Sequence, residues 1–321
     1  MSTATQTTPL LKTDSLPEPT TWKSKPSLIS LYWKLNRLHK FPAGSILVFW
    51  PCAWALTMTG YRTHQPLVEY WRELAMCAFL CTLLHSAACV LSDIFDRDLD
   101  RKVERTKNRP IASGAISVRG GVNCLLLEVG ILLGVLIYLQ DLTVYAVGVF
   151  GLFVLQIIYP IMKRVTYWPQ AFLGLAMGWG YIFIWVMRVK LQDLGIPLTY
   201  LLGIVCWAIV YDTIYGCQDR EDDVKIGVKS TSLLFGDHVR EILVIFAAGF
   251  VSAIAVAGYL NHQGLWYYLI SVGATTFHLL WQLWTLREND TEDCWNKFES
   301  NGTLGGIVFI GMLVDYLKVT I

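Results

Sequence analysis

From residue 42 onward the chain alternates long apolar runs with short polar connections. Nine runs approach the length of about 20 mainly apolar residues that a membrane-spanning helix needs. They are 42–60, 71–92, 120–139, 142–160, 169–187, 198–217, 241–260, 264–283 and 303–320. Backbone groups inside a bilayer must be satisfied within their own segment, so these runs are predicted to be helices. Gly130, Gly134, Gly148, Gly174, Gly178 and Gly180 fall inside them and are expected to let helices approach closely. Residues 1–26 differ: they are polar, contain Pro9, Pro17, Pro19 and Pro26, and read as a disordered tail. A single transmembrane domain over 27–321 is predicted to follow.

Composition agrees with the pattern. Apolar residues make up 54% of the 321 and charged residues 16%, with a mean hydropathy of +0.45. A soluble globular protein carries about 25% charged residues. Too few charges remain to coat one or two water-soluble domains, and the same arithmetic excludes disorder, collagen and coiled coil. The expected fold class is all-α integral membrane, with about nine transmembrane helices.

Net charge is +1, so no global field attracts nucleic acid. The distribution of charge is more informative. Of the Lys and Arg residues, 21 fall in the N-terminal tail and the connections after the second, fourth, sixth and eighth runs. The opposite side has 5: Arg62, Arg72, Arg188, Lys190 and Lys318. Basic residues collect on the cytoplasmic side, which places the N-terminus there. The tail holds Asp14 and Glu18 but no arginine, unlike a mitochondrial presequence, and no cleavable secretory signal precedes the first run. An endomembrane such as the endoplasmic reticulum is therefore expected rather than the mitochondrial inner membrane. The sequons at Asn289 and Asn301 fall on the cytoplasmic side and are expected to stay unglycosylated. The eight cysteines form no C-x-x-C pair and read as small buried hydrophobes.

Acidic residues cluster at two places. Asp93, Asp96 and Asp100 follow the second run at steps of three and four, which puts them on one face of a continuing helix. Asp98 falls on another face and reads as solvated. The sixth run ends in Asp212, Tyr215, Asp219 and Asp223, again at steps of three and four. The seven residues from Asp96 to Lys102 echo those from Asp219 to Lys225, four runs apart. That spacing suggests two four-helix pseudo-repeats plus one appended helix around a central cavity.

Carboxylates on one stripe repel unless a cation sits between them. Mg²⁺ is held by one or two carboxylates plus substrate phosphates, so facing carboxylate sets could hold Mg²⁺ against a diphosphate. The expected metal-binding and catalytic carboxylates are Asp93, Asp96, Asp100, Asp219 and Asp223. Arg105, Arg109, Lys163, Arg164 and Lys229 are candidates for the remaining phosphate charge, with Lys107 and Lys225 close by. A diphosphate whose organic tail enters the bilayer points to a prenyl diphosphate. No Gly-rich P-loop is present, which argues against nucleotide hydrolysis.

The chain resembles the UbiA superfamily of intramembrane prenyltransferases over roughly residues 28 to 320. The family's first motif, N-D-x-x-D-x-x-x-D, matches Asp93, Asp96 and Asp100, with Ser92 in place of the leading Asn. Its D-x-x-x-D motif matches Asp219 and Asp223, and its Y-x-x-x-K element matches Tyr159 and Lys163. The stretches 105–114, 159–164 and 225–231 are similar to the 4-hydroxybenzoate polyprenyltransferase branch, and within it to fungal meroterpenoid-type paralogues.

The resemblance implies Mg²⁺-dependent transfer of a prenyl group, often farnesyl, to a ring carbon of a polyketide-derived aromatic acid of orsellinic type. Charge would grow on the diphosphate as its C1–O bond breaks, and the allylic cation would need a dry, electron-rich pocket. Tyr159, Trp179, Tyr181, Trp207, Tyr211 and Tyr215 are aromatic candidates. Arg37 is the candidate for an acceptor carboxylate, and Asp212 joins Arg37, Tyr159 and Tyr215 as an expected substrate contact. His85 invites a general-base role, although a helix–helix hydrogen bond is the commoner use of a membrane histidine. Asp315 is expected at the membrane interface. Three other readings stay open: a 4-hydroxybenzoate polyprenyltransferase of ubiquinone synthesis, a membrane terpene cyclase of the same superfamily, and an ion-binding transporter.

Overall fold

The computed structural model describes residues 26–321, and the predicted tail lies outside the described residues apart from residue 26. Among the described residues 81% are helical and none forms a strand. The principal helices are α1 (Leu28–Leu35), α2 (Ser45–Thr63), α3 (Leu67–Phe95), α4 (Val118–Tyr138) and α5 (Leu142–Val165). They continue with α6 (Pro169–Val189), α7 (Gly195–Gly216), α8 (Val239–Leu260), α9 (267–284) and α10 (Thr291–Thr320). Two are partly π-helical, α5 at Phe150–Leu155 and α9 at Tyr267–Ala274.

Among the described residues seven helices are long and apolar enough to cross a membrane, namely α3 to α8 and α10. The predicted first and eighth runs are helical as well, forming α2 and α9, but fall short of that measure. Ion pairs gather the connections at two ends of the bundle, as the predicted alternation requires. Arg37–Asp93, Arg105–Asp219 and Arg220–Glu288 lie at one end; Arg62–Asp193, Arg188–Glu73 and Lys190–Asp141 lie at the other.

The core lies where α2, α6, α7 and α8 pack together. Trp54, Trp207 and Phe250 pack ring to ring, and Tyr181 stacks on Tyr200 with centroids 4.4 Å apart. A Cβ on Gly174 would come within 2.7 Å of the Val205 Cα, so glycine there sets the spacing of α6 and α7. Gly130 and Gly134, expected to act likewise, face no neighbour within 4 Å.

The last helix begins twelve residues before the predicted run at 303. Asp290 caps it by accepting the backbone N–H groups of Glu292 and Asp293. Its first turns bury Cys294, Lys297 and Asn301, and the Asn301 Oδ1 accepts the Trp207 indole N–H at 2.8 Å. A fully buried Asn301 cannot carry a glycan. Asp315, near the end of α10, is buried within the protein and accepts the backbone N–H of Tyr267 at the start of α9.

Candidate active site

The two aspartate motifs sit at matching breaks in the backbone. Helix α3 ends at Phe95, Asp96 adopts φ −94°, ψ 7°, and a short helix Arg97–Asp100 follows. A tight turn after α7 ends at Asp219, with φ −107°, ψ 2°, before the helix Arg220–Ile226. Both residues occupy the sparsely populated bridge region where many active-site residues sit. The continuous helical stripe expected from spacing is thus broken twice in the same way, and Asp100 and Asp223, beyond the breaks, line the same cavity as Asp96 and Asp219.

Asp96, Asp100, Asp219 and Asp223 line one cavity of ≈ 110 Å³ together with Arg105, Arg109, Lys163 and Arg164. Arg105 grips Asp219 through Nε at 3.0 Å and Nη2 at 2.8 Å, and its Nη1 donates to the Tyr215 hydroxyl at 3.0 Å. Burial opposes the charge on Arg105, but Tyr215 and Asp219 outweigh it and hold its pKa above the arginine range. Arg109 reaches both Asp100 oxygens, at 3.1 and 2.9 Å, and Asp93 at 3.2 Å. Burial lifts the Asp100 carboxyl above the usual carboxylate range despite Arg109, and Asp93 adds to the rise.

Asp93 stands apart from this cavity. Its side chain is 1% exposed and accepts Arg37 Nη2 at 2.6 Å. Lys229 is also elsewhere: its ammonium donates to the Val165 carbonyl and lies over the Tyr167 ring. Lys163 lies over the Tyr159 ring, 5.3 Å from its centroid, and Asp212 faces Lys163 and Gln170. Asp98 is solvated, as expected, and pairs with Arg97 and Arg101.

Two further cavities lie along α3, one adjoining the aspartate cavity and one further from it. The first, ≈ 300 Å³, shares Arg105 and Arg109 with the aspartate cavity and adds Arg37, Lys40, Tyr215 and Phe298. No carboxylate lines it among the described residues. Burial lowers the Lys40 pKa, and Arg105, Arg37 and Arg109 lower it further. Trp295 and Phe298 were not legible in the sequence because the polar stretch before residue 303 hides the start of α10, and Lys40 because its charge alone does not separate it from the other basic residues before α2. The second cavity, ≈ 140 Å³ and apolar, lies deeper between α3, α4, α5 and α6, against Leu80, Leu84, Leu136, Trp179 and Phe183. Of the remaining aromatic candidates, Tyr181, Trp207 and Tyr211 pack in the core and line neither cavity.

The donor set can be tested against Mg²⁺. No three His, Cys, Asp or Glu side chains among the described residues gather closely enough to hold a metal by themselves. Two cavity carboxylates are nevertheless short of partners. Asp96 has Arg164 at 3.6 Å, and Asp223 makes no side-chain hydrogen bond or ion pair with the described residues. Hard oxygen donors from both motifs, under-paired across one cavity, fit Mg²⁺ that completes its shell with phosphate oxygens.

Two polar cavities that share Arg105 and Arg109, with a separate apolar cavity further along α3, within a bundle of membrane helices, suit an intramembrane enzyme for an amphipathic substrate. Residues 48–311 match the UbiA prenyltransferase family, and the chain belongs to that family. It is 42% identical to the UbiA prenyltransferase claS of Ampulloclitocybe clavipes, over 92% of this chain and 93% of that one. It is 41% identical to the mitochondrial 4-hydroxybenzoate polyprenyltransferase of Arabidopsis thaliana, over 90% of this chain and 69% of that one. The apo structure of a UbiA homolog from Aeropyrum pernix K1 superposes with a TM-score of 0.70 at 20% identity, covering 84% of this chain and 97% of that one. A UbiA homolog from Archaeoglobus fulgidus bound to GPP and Mg²⁺ gives 0.55 at 14% identity, covering 90% and 99%. The protein is an integral membrane aromatic prenyltransferase.

Proposed function

We propose that the protein transfers a farnesyl group from farnesyl diphosphate to a ring carbon of an orsellinic-type aromatic acid, in a meroterpenoid pathway of an endomembrane. The observation that carries this reading is the order of three cavities along α3. Leu80 and Leu84 line the apolar cavity, His85 and Cys89 the basic one, and Asp96 just beyond the helix lines the aspartate cavity. Tail, acceptor and diphosphate each have a compartment of matching chemistry.

Asp96, Asp100, Asp219 and Asp223 would hold Mg²⁺, which supplies positive charge to the leaving diphosphate. Lys163 and Arg164 meet the remaining phosphate charge from the cavity wall. Arg105 and Arg109 stand where the aspartate and basic cavities meet, and so screen diphosphate and acceptor from each other. Arg37 and Lys40 suit an acceptor carboxylate. Asp93, buried between Arg37 and Arg109, orients both guanidinium groups. The apolar cavity excludes water from the allylic cation.

Purified protein with Mg²⁺, farnesyl diphosphate and orsellinic acid is expected to give a C-prenylated acid. EDTA, Asp96→Asn or Asp219→Asn should abolish it, and activity that survives both substitutions overturns the assignment. The similarity to a plant 4-hydroxybenzoate polyprenyltransferase favours a second reading. Preference for 4-hydroxybenzoate and a long polyprenyl donor in the same assay would select it.

A further inference from the structure

Aromatic substitution needs a base, because the ring carbon that gains the prenyl group must lose its proton. The basic cavity has no carboxylate in its wall among the described residues, so the aspartates are not placed to serve an acceptor bound there. Its wall offers two imidazoles. His39 lies on an exposed turn at the mouth, next to Lys40. His85 lies inside, half-buried on α3, nearly three turns before the helix ends at Phe95.

The surroundings of His85 are specific. Its Nε2 is 3.6 Å from the Cys89 sulfur, one turn further along α3. Opposite, the chain passes Gly44 with φ +83°, and a Cβ there would fall 2.5 Å from Nε2. Backbone without a side chain is what gives the ring its room. On the helix turn before His85, Leu80, Cys81 and Leu84 line the apolar cavity. The imidazole therefore stands where an acceptor in the basic cavity faces a prenyl chain rising from the apolar one.

We infer that His85 is a catalytic residue that removes the ring proton after the prenyl group has added; this rests on the aromatic acceptor proposed above. The C1–O bond breaks with its electron pair leaving on diphosphate, and a ring π pair forms the new C–C bond. The ring C–H bond then breaks, its electron pair restores the aromatic ring, and the proton passes to an imidazole nitrogen. Diphosphate or water at the cavity mouth takes that proton away.

The test compares wild type, His85→Gln and His85→Ala in nanodiscs with Mg²⁺ and farnesyl diphosphate. Orsellinic acid is supplied with hydrogen or deuterium at its free ring positions. In wild type, proton loss follows the slow ionisation and the isotope effect on kcat is near unity. In both variants kcat is expected to fall about 10²–10⁴-fold, the usual worth of a positioned base. KM for either substrate should change little, and a primary isotope effect should emerge because proton loss has become slow. Added imidazole should restore kcat of His85→Ala and suppress that isotope effect. Scrambling of ¹⁸O between bridging and non-bridging positions of farnesyl diphosphate should persist in the variants, which shows that the site is folded and ionises its donor. Unchanged kcat overturns the assignment, and so does a fall in kcat with no isotope effect in variants that still scramble ¹⁸O. Failure of wild type to prenylate any aromatic acid overturns the acceptor reading instead, and this inference with it.

Discussion

Replacing Arg105 with glutamine is expected to move two affinities in opposite directions. Arg105 holds both oxygens of Asp219, at 3.0 and 2.8 Å, in the place where a divalent cation would be needed. Hydrogen bonds to charged groups contribute about 1.5–3 kcal/mol. The Arg105 side chain is 42% exposed, so solvent screening reduces the pair to about 1 kcal/mol. Removing this competitor should tighten divalent-metal binding in the absence of substrate by roughly fivefold. On the proposed function the same change deletes a guanidinium that would meet phosphate oxygens, a loss of about 1.5–3 kcal/mol. Pyrophosphate binding at fixed Mg²⁺ should therefore weaken by roughly 10- to 100-fold. Mn²⁺ bound to detergent-purified protein can be counted by electron paramagnetic resonance, and pyrophosphate affinity by calorimetry. Metal affinity that stays constant or falls in R105Q would refute the idea that arginine and metal compete for Asp219.

Other expectations concern stability and pH. Asn301→Ala strands the buried Trp207 indole N–H and should cost about 1–3 kcal/mol, read as a lower melting temperature in detergent. Gly174→Val pushes a side chain against the α7 backbone and should destabilise by about 1–3 kcal/mol, whereas Gly130→Val, facing open space, should not. Burial raises the Asp100 pKa, so its charged form weakens the metal-free fold at neutral pH. Protonation relieves that burden as pH falls toward the carboxylate range of about 4. Without Mg²⁺, Asp100→Asn should thus melt higher than wild type at neutral pH, and the gap should close on acidification.

The helices and the aspartate motifs were legible in the sequence because both are local signals: runs of apolar residues, and carboxylates at steps of three and four. What escaped depends on contacts between distant segments. Residues 291–302 are polar enough to read as a connection, yet their buried face of Cys294, Lys297 and Asn301 makes them the start of α10. That start brings Trp295 and Phe298 to the basic cavity. Spacing placed Asp93 on a stripe with Asp96 and Asp100, but the break at Asp96 leaves Asp93 facing Arg37 and Arg109. Lys229 had the right charge, and only the fold shows that it is spent on the end of α5.

Helix α3 works as a ruler. At a rise of about 1.5 Å per residue, Cys77 in the apolar cavity lies about 12 Å below His85, which lies about 16 Å below Asp96. On the proposed function, substrate length, ring identity and leaving group would be read at separate heights along one helix. On the same proposal, a substitution at Cys77 or Leu80 should change the length of chain accepted and leave the ring and diphosphate sites untouched. Members of one family can in this way diverge in donor and acceptor independently.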